Sequence, residues 1–548
     1  MKTHTLIFLL SRPGNRSPRS WARVGAGALL ALTLASPSEA QDPPGDHRGG
    51  TLRLLSRAPA GSIDPHLNYT QQYWQILTIT HDGLVAFRKV PGQAGLEIVP
   101  DLAESVTQDG LKYRFTLRQG IRFSNGSPVT PQDVVASIQR IFTVGSPTAN
   151  SFYGAIDGAA ACLATPGPCT LPGVQAEGQT VTITLTRPDA EFLTTLALPH
   201  AAILPASAPQ TDTGTTPLPG TGPYQIVTYD PNDRLVLTRN PHFREWSHDA
   251  QPDGYPDRID YQFGLEDEAE LTAIQNGQAD WMFDSPPADR LRELSDGRAA
   301  IHINPTFALW FAPLNVHVAP FDDPRVRRAL NLAIDRRAPA KLYGGAELAS
   351  PTCQILPPGL LGYVPYCPYA PDLPQARALV AASGTAGQRV TVVTDDSPTA
   401  RAIGTYLLDV LGDLGFVARL RTLSGAVQFN YIQNSANQVQ ISLTTWYADY
   451  PSPTNFLSGV FGCAAFRPNS SASPNISGFC DPALDAALAV AVAAGDADGI
   501  AAVDRAMTDA APAVALFNPR SIDVVSRRVS HFVFHEEFRW LIGQAWVN

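Results

Sequence analysis

Residues 98–141 read IVPDLAESVTQDGLKYRFTLRQGIRFSNGSPVTPQDVVASIQRI. In its middle, Tyr113, Phe115 and Leu117 alternate with Lys112, Arg114, Thr116 and Arg118. A period of two with one apolar face predicts a half-buried strand. SNGS, from Ser124 to Ser127, supplies turn residues. A helix should begin next: Thr130 is placed to cap it, Pro131 suits its first position, and Asp133 completes a capping-box pattern. Strand, turn and capped helix within one short stretch point to a mixed α/β chain.

The same grammar extends outward. GTLRLLSRA from Gly50 reads as an opening strand, and the segment after Gly61 reads as a turn followed by a helix reaching Gly83. GQTVTITLTRP is another alternating strand. LPGTGPYQIVTYDPNDRLVLTRNPHF reads as a glycine turn and a hairpin, with the glycines structural rather than a phosphate cradle. Farther on, RVTVVTDD is a strand and FVARLRTL is a second one. Between them Ile403, Tyr406, Leu407, Val410, Leu411 and Leu414 recur at helical spacing. A strand–helix–strand unit implies parallel pairing in at least one sheet. DPALDAALAVAVAAG and DGIAAVDRAMTDAAP are expected to be two surface helices.

Composition narrows the class. The 548 residues exceed one ordinary core, and 44% hydrophobic with 16% charged residues marks a globular chain. A net charge of −10, with lysine only at Lys2, Lys89, Lys112 and Lys341, argues against a nucleic-acid partner. Arg12, Arg16, Arg19 and Arg23 precede the apolar run VGAGALLALTLA, and Ser38 and Ala40 are small residues at cleavage-site spacing. Residues 1–40 are therefore read as a signal peptide, with an exported, soluble product beginning at Gln41. Six cysteines fit that destination. They allow 15 pairings, of which neighbours in sequence are the simplest: Cys162–Cys169, Cys353–Cys367 and Cys463–Cys480.

No local catalytic engine is apparent. No serine lies in a Gly-x-Ser-x-Gly elbow, no Gly-Lys pair supports a phosphate loop, and HEEFR at His535 fails the zinc pattern because Arg539 is its fifth residue. No metal and no cofactor are expected. The reading favours binding over catalysis. A secreted enzyme whose site is assembled in a cleft, or a ligand sensor without a transport role, is the alternative.

IVPDLAESVTQDGLKYRFTLRQGIRFSNGSPVTPQDVVASIQRI, GTGPYQIVTYDPNDRLVLTRNPHF, APFDDPRVRRALNLAIDR, WYADYPSPTNFLSGVFG and NISGFCDPALDAAL together resemble the family 5 extracellular solute-binding proteins. These are periplasmic receptors of ABC importers for peptides, nickel complexes and related solutes. The resemblance implies a two-lobed, type II periplasmic-binding-protein-like α/β fold with an extra domain and mixed sheets flanked by helices. It implies a discontinuous domain I of residues 41–83, 200–306 and 520–548, a domain II of 84–199, and a domain III of 307–519. A peptide or peptide-like ligand would lie between domains I and III of a monomer, which would deliver it to transmembrane permease subunits. Asp449 matches the position that receives a peptide's α-ammonium in peptide-binding members. Trp446, Tyr447, Tyr69, Tyr73 and Trp310 are further candidate contacts, with Trp446 preferred to Tyr447 for the cleft.

Overall fold

In the computed structural model, which describes residues 47–548 except 60, 166, 287–289, 291–296 and 298, the opening stretch folds as its pattern requires. The expected signal peptide lies outside the described residues. Strand Lys112–Leu117 buries Tyr113, Phe115 and Leu117 and exposes Lys112 and Arg114. It lies inside a four-stranded antiparallel sheet with Ala103–Asp109, Thr180–Thr184 and Val174–Glu177. Helix Pro131–Thr143 buries Val134, Ile138 and Ile141 in the same core. The Asp133 carboxylate accepts the Thr130 amide and hydroxyl at its start, each at 2.7 Å.

The larger sheet has ten strands, and the 14-residue strand Ala513–Ser526 runs through it as a spine. The first part of this strand pairs antiparallel with Ala308–Pro313 and Ala349–Pro351. Its second part pairs with Ala299–Pro305 and, at Val525, with Trp281. Thr51–Ser56 lies parallel between Arg258–Phe263 and Trp281–Met282. The hairpin Tyr224–Asp230 with Arg234–Arg239 continues that end antiparallel. At the other end Thr444–Tyr447 pairs with Ala308–Pro313. One long strand thus serves both ends of the sheet. Between the pairs Pro305↔Arg520 and Trp310↔Phe517 its partner breaks step, and the Thr306 hydroxyl donates to the Pro519 carbonyl at 2.8 Å.

A separate three-stranded sheet holds the expected strand–helix–strand unit. Arg389–Asp395 pairs parallel with Val417–Leu423 and with Ile441–Ser442. Helix Pro398–Asp413 between them buries Ile403, Leu407, Val410 and Leu411. Right-handed crossover logic puts a helix on that face.

Two local readings need revision. The helix after Gly61 is Gln71–Thr80, ending before Gly83 because His81 is already extended. A Cβ at Gly220 or Gly222 would collide with the Thr80 or Ile79 carbonyl at that helix end, so these glycines serve close backbone approach. Of the two alanine-rich helices, Pro482–Ala494 buries only Leu488 and Ala491. Ala497–Ala510 is instead packed inward and buries Asp504, whose carboxylate accepts Gln354 Nε2 at 2.8 Å and the Leu356 amide at 3.1 Å. The cysteines are joined as sequence neighbours, Cys162–Cys169, Cys353–Cys367 and Cys463–Cys480, with Cα separations of 5.4, 4.9 and 4.5 Å.

Candidate functional site

The site grows from the short strand Thr444–Tyr447. Successive side chains of a strand point to opposite faces. Trp446 therefore turns into a core with Phe456 and Leu457, and its Nε1 donates to Asn455 Oδ1 at 2.8 Å. Tyr447 turns the other way, is 56% exposed and lines a cavity of about 510 Å³. Tyr343 lines the same cavity wall beside it. Two residues on, Asp449 reaches the same space. Helix Pro453–Phe461, capped by the Ser452 hydroxyl on the Thr454 amide, holds Asn455 buried beneath it. Asn455 accepts the Asp449 amide and donates to Asp449 Oδ2, each at 3.2 Å.

The opposite wall comes from the start of helix Gln71–Thr80. The Asn68 carboxamide accepts the Thr70 amide at 3.0 Å and its hydroxyl at 2.7 Å, forming an Asx turn. That turn presents Tyr69, whose hydroxyl donates to Asp449 Oδ1. The ring of Tyr69 leans on Trp74 at 5.7 Å and on His200 at 5.1 Å. His200 donates from Nε2 to the Asn68 carbonyl at 2.8 Å, and burial holds its pKa down at about 3, so it stays neutral. The floor is the broken stretch of the long sheet: Thr306, Phe307, Pro519 and Arg520 all line the cavity.

Charge in the cavity is predominantly negative. Asp284, Asp449, Glu536 and Glu537 line it, against Arg520 and Arg539. Arg539 is already committed: it donates to Asp523 Oδ1 at 2.8 Å and to the Phe283 and Ile522 carbonyls at 2.9 and 3.1 Å. Burial raises the pKa of Asp449, and the hydrogen bonds from Tyr69 and Asn455 oppose that rise. Burial, with the Asp449 charge added, pushes Glu537 well above the carboxylate range. The arrangement can take up positive charge inside an aromatic-walled space.

Of the residues singled out in the sequence, Asp449, Tyr447 and Tyr69 meet at this cavity. Trp446, Tyr73 and Trp310 do not line it. Strand alternation sends Trp446 to the core, reversing its preference over Tyr447. Tyr73 lies on the inner face of its helix and its hydroxyl donates to the Ile63 carbonyl at 2.7 Å. Trp310 stands behind Tyr343, with ring centres 5.5 Å apart, and stacks on Phe517. Trp74, beside Tyr69 and Tyr73 in the sequence reading, lines the cavity too; Tyr343, Phe283, Asp284, Arg520, Glu536, Glu537 and Arg539 line it without having been candidates. The C-terminal group had a visible signal: two adjacent glutamates in the aromatic-rich HFVFHEEFRWLIG.

Solved structures share the architecture. The clavulanic acid biosynthesis oligopeptide binding protein 2 superposes with a TM-score of 0.83 at 26% identity, covering 91% of this chain and 96% of that one. The unliganded open form of the periplasmic murein tripeptide binding protein MppA gives 0.72 at 23% identity, covering 91% and 97%. The class defined by fold and cavity is thus the two-lobed periplasmic-binding-protein fold. The family model for bacterial extracellular solute-binding proteins, family 5 Middle, matches residues 97–467, and the chain belongs to that family of solute-binding proteins. The chain is 28% identical over 493 residues to the probable di/tripeptide-binding protein 5 of Pseudomonas aeruginosa (strain UCBPP-PA14), covering 84% of this chain and 86% of that protein. It is also 25% identical over 403 residues to the glutathione-binding protein GsiB of Salmonella typhi, covering 72% and 74%.

Proposed function

We propose that this protein is a periplasmic peptide receptor. Freed of residues 1–40, it captures a short peptide in the cavity and hands it to the permease of an ABC importer. Asp449 takes the peptide's α-ammonium, Tyr69 and Tyr447 flank it, and closure of domain I on domain III secludes it. The observation that carries this reading is the Asp449 carboxylate, held by Asn455 from below and met by the Tyr69 hydroxyl from the opposite wall. The names of the relatives, for di- and tripeptides and for glutathione, support the same ligand class. The cavity volume lies within the range of about 300–1,000 Å³ usual for small-ligand sites.

The test is calorimetry with trialanine and N-acetyl-trialanine. A charge-assisted hydrogen bond contributes about 1.5–3 kcal/mol, and a buried ammonium left unpaired raises the cost to about 3–5 kcal/mol. N-acetylation, or Asp449→Asn against the free peptide, is therefore expected to weaken binding by more than about a hundredfold. Equal affinity for both peptides in the wild-type protein overturns the ammonium role. Recovery of the peptide uncleaved after prolonged incubation, read by mass spectrometry, is expected of a receptor; turnover would make the protein an enzyme.

A further inference from the structure

Glu537 occupies the turn between the paired strands Phe534–His535 and Arg539–Trp540. Its placement is deliberate in physical terms. The His535 ring accepts the Glu537 and Phe538 amides on Nδ1, at 3.1 and 3.2 Å, and donates from Nε2 to the Arg88 and Gly95 carbonyls, both at 3.1 Å. Phe538 is anchored in the core, so the turn has no freedom to swing its acid outward. Glu537 is only 6% exposed, yet it lines the cavity. Its carboxylate has no hydrogen-bond partner among the described residues, and Arg539 beside it is spent on Asp523 and two carbonyls. The carboxylate opens onto the cavity without a protein donor, and an ionised acid in so enclosed a space is costly without a partner. Its cost is relieved by a ligand that brings a cation.

We infer that Glu537 is a second cation acceptor in the cavity, so that the receptor selects peptides carrying a basic side chain in addition to the α-ammonium. This rests on the peptide reading and narrows its substrate class. The α-ammonium goes to Asp449; the second positive group, a lysine- or arginine-type side chain, goes to Glu537. The titratable and charged groups around the cavity are Asp449, Tyr69, Asp284, Tyr343, Tyr447 and Arg520 on its walls, and Glu536 and Arg539 on the same hairpin. Burial and the Asp449 charge oppose ionisation of Glu537, and a cation brought beside it favours the ionised form.

The experiment compares trialanine derivatives with lysine, or its uncharged isostere norleucine, at each of the three positions. At one position or more, the lysine peptide is expected to bind about ten- to hundredfold tighter than its norleucine twin, the range for one charge-assisted hydrogen bond. Glu537→Gln should erase that difference. Peptide binding without a lysine preference at any position overturns the inference but keeps the peptide reading. A preference that survives Glu537→Gln overturns it too. If no peptide in the set binds, the peptide reading falls and the inference with it.

Discussion

Asn455 is the residue on which the site's precision depends. It joins Trp446 Nε1 in the core to the amide and carboxylate of Asp449 at the cavity. Replacing it by alanine leaves two half-buried donors, the Trp446 indole N–H and the Asp449 amide, without their acceptor. Each such loss costs about 1–3 kcal/mol, so Asn455→Ala should lower stability by about 2–4 kcal/mol in a urea titration. Asp449→Asn keeps an oxygen for Asn455 and should leave stability nearly unchanged while binding collapses. A normally stable Asn455→Ala protein would sink this account. Asp449 was legible in the sequence because an acid amid Trp446, Tyr447 and Tyr450 is out of place in a core. The choice between Trp446 and Tyr447 was not legible. It depends on the register Leu309↔Trp446 and Ala308↔Tyr447 with a strand more than a hundred residues upstream, which composition does not encode.

At the scale of elements, two buried charges decide how helices are held. Arg140, in the helix of the opening stretch, is 1% exposed and forks onto Asp64, itself fully buried. Its remaining donors meet the Pro209 carbonyl at 2.6 Å, the Thr211 carbonyl at 3.1 Å and His66 Nδ1 at 3.2 Å. Burial alone would raise the Asp64 pKa, but the Arg140 hydrogen bonds and charge outweigh it and hold the pKa below the usual value. Arg140→Met strands that carboxylate and should cost about 3–5 kcal/mol. The double variant with Asp64→Leu should recover much of the loss, because an apolar pair of similar volume is often neutral. The helix itself was legible from its cap and apolar stripe. The burial of Arg140 was not, because its partner lies 76 positions away.

The second charge is Glu191, which meets the Ser452 and Thr454 hydroxyls at the start of helix Pro453–Phe461. Burial raises its pKa to about 7, against the hydrogen bonds of Thr454 and Tyr450. A carboxylate whose pKa is raised on folding contributes most stability below its unfolded value, and that contribution is lost as pH rises through the folded one. The window is therefore pH 4.5 to about 7. Relative to wild type, Glu191→Gln should gain stability steadily across that window, by no more than about 3 kcal/mol. Melting curves at pH 5, 6, 7 and 8 read the difference, and a constant offset between the two proteins would contradict the assignment.

For the whole molecule, the central question is what the broken ladder permits. Along one edge of the strand Ala513–Ser526 the partner changes from Ala299–Pro305 to Ala308–Pro313, with regular pairing interrupted between Pro305↔Arg520 and Trp310↔Phe517, while Ala349–Pro351 stays paired to the other edge at Phe517–Pro519. Rotation about that break moves Thr444–Tyr447 and its helix as one body, because Asn455 ties them together. Such a rotation would part Tyr69 from Asp449, Glu191 from Ser452 and Thr454, and Tyr450 from Phe152, whose ring centres lie 5.6 Å apart. A ligand that bridges the two walls adds to the closed state alone, and a hinge responds only to such differential affinity. Small-angle scattering should therefore show a smaller radius of gyration with saturating peptide than without. Tyr69→Phe removes one cross-wall hydrogen bond and should enlarge the radius of the free protein, while saturating peptide restores the compact value. A radius that responds to neither ligand nor substitution would mean that the break at Thr306 and Pro519 is rigid, and that peptide enters a cavity that is already formed.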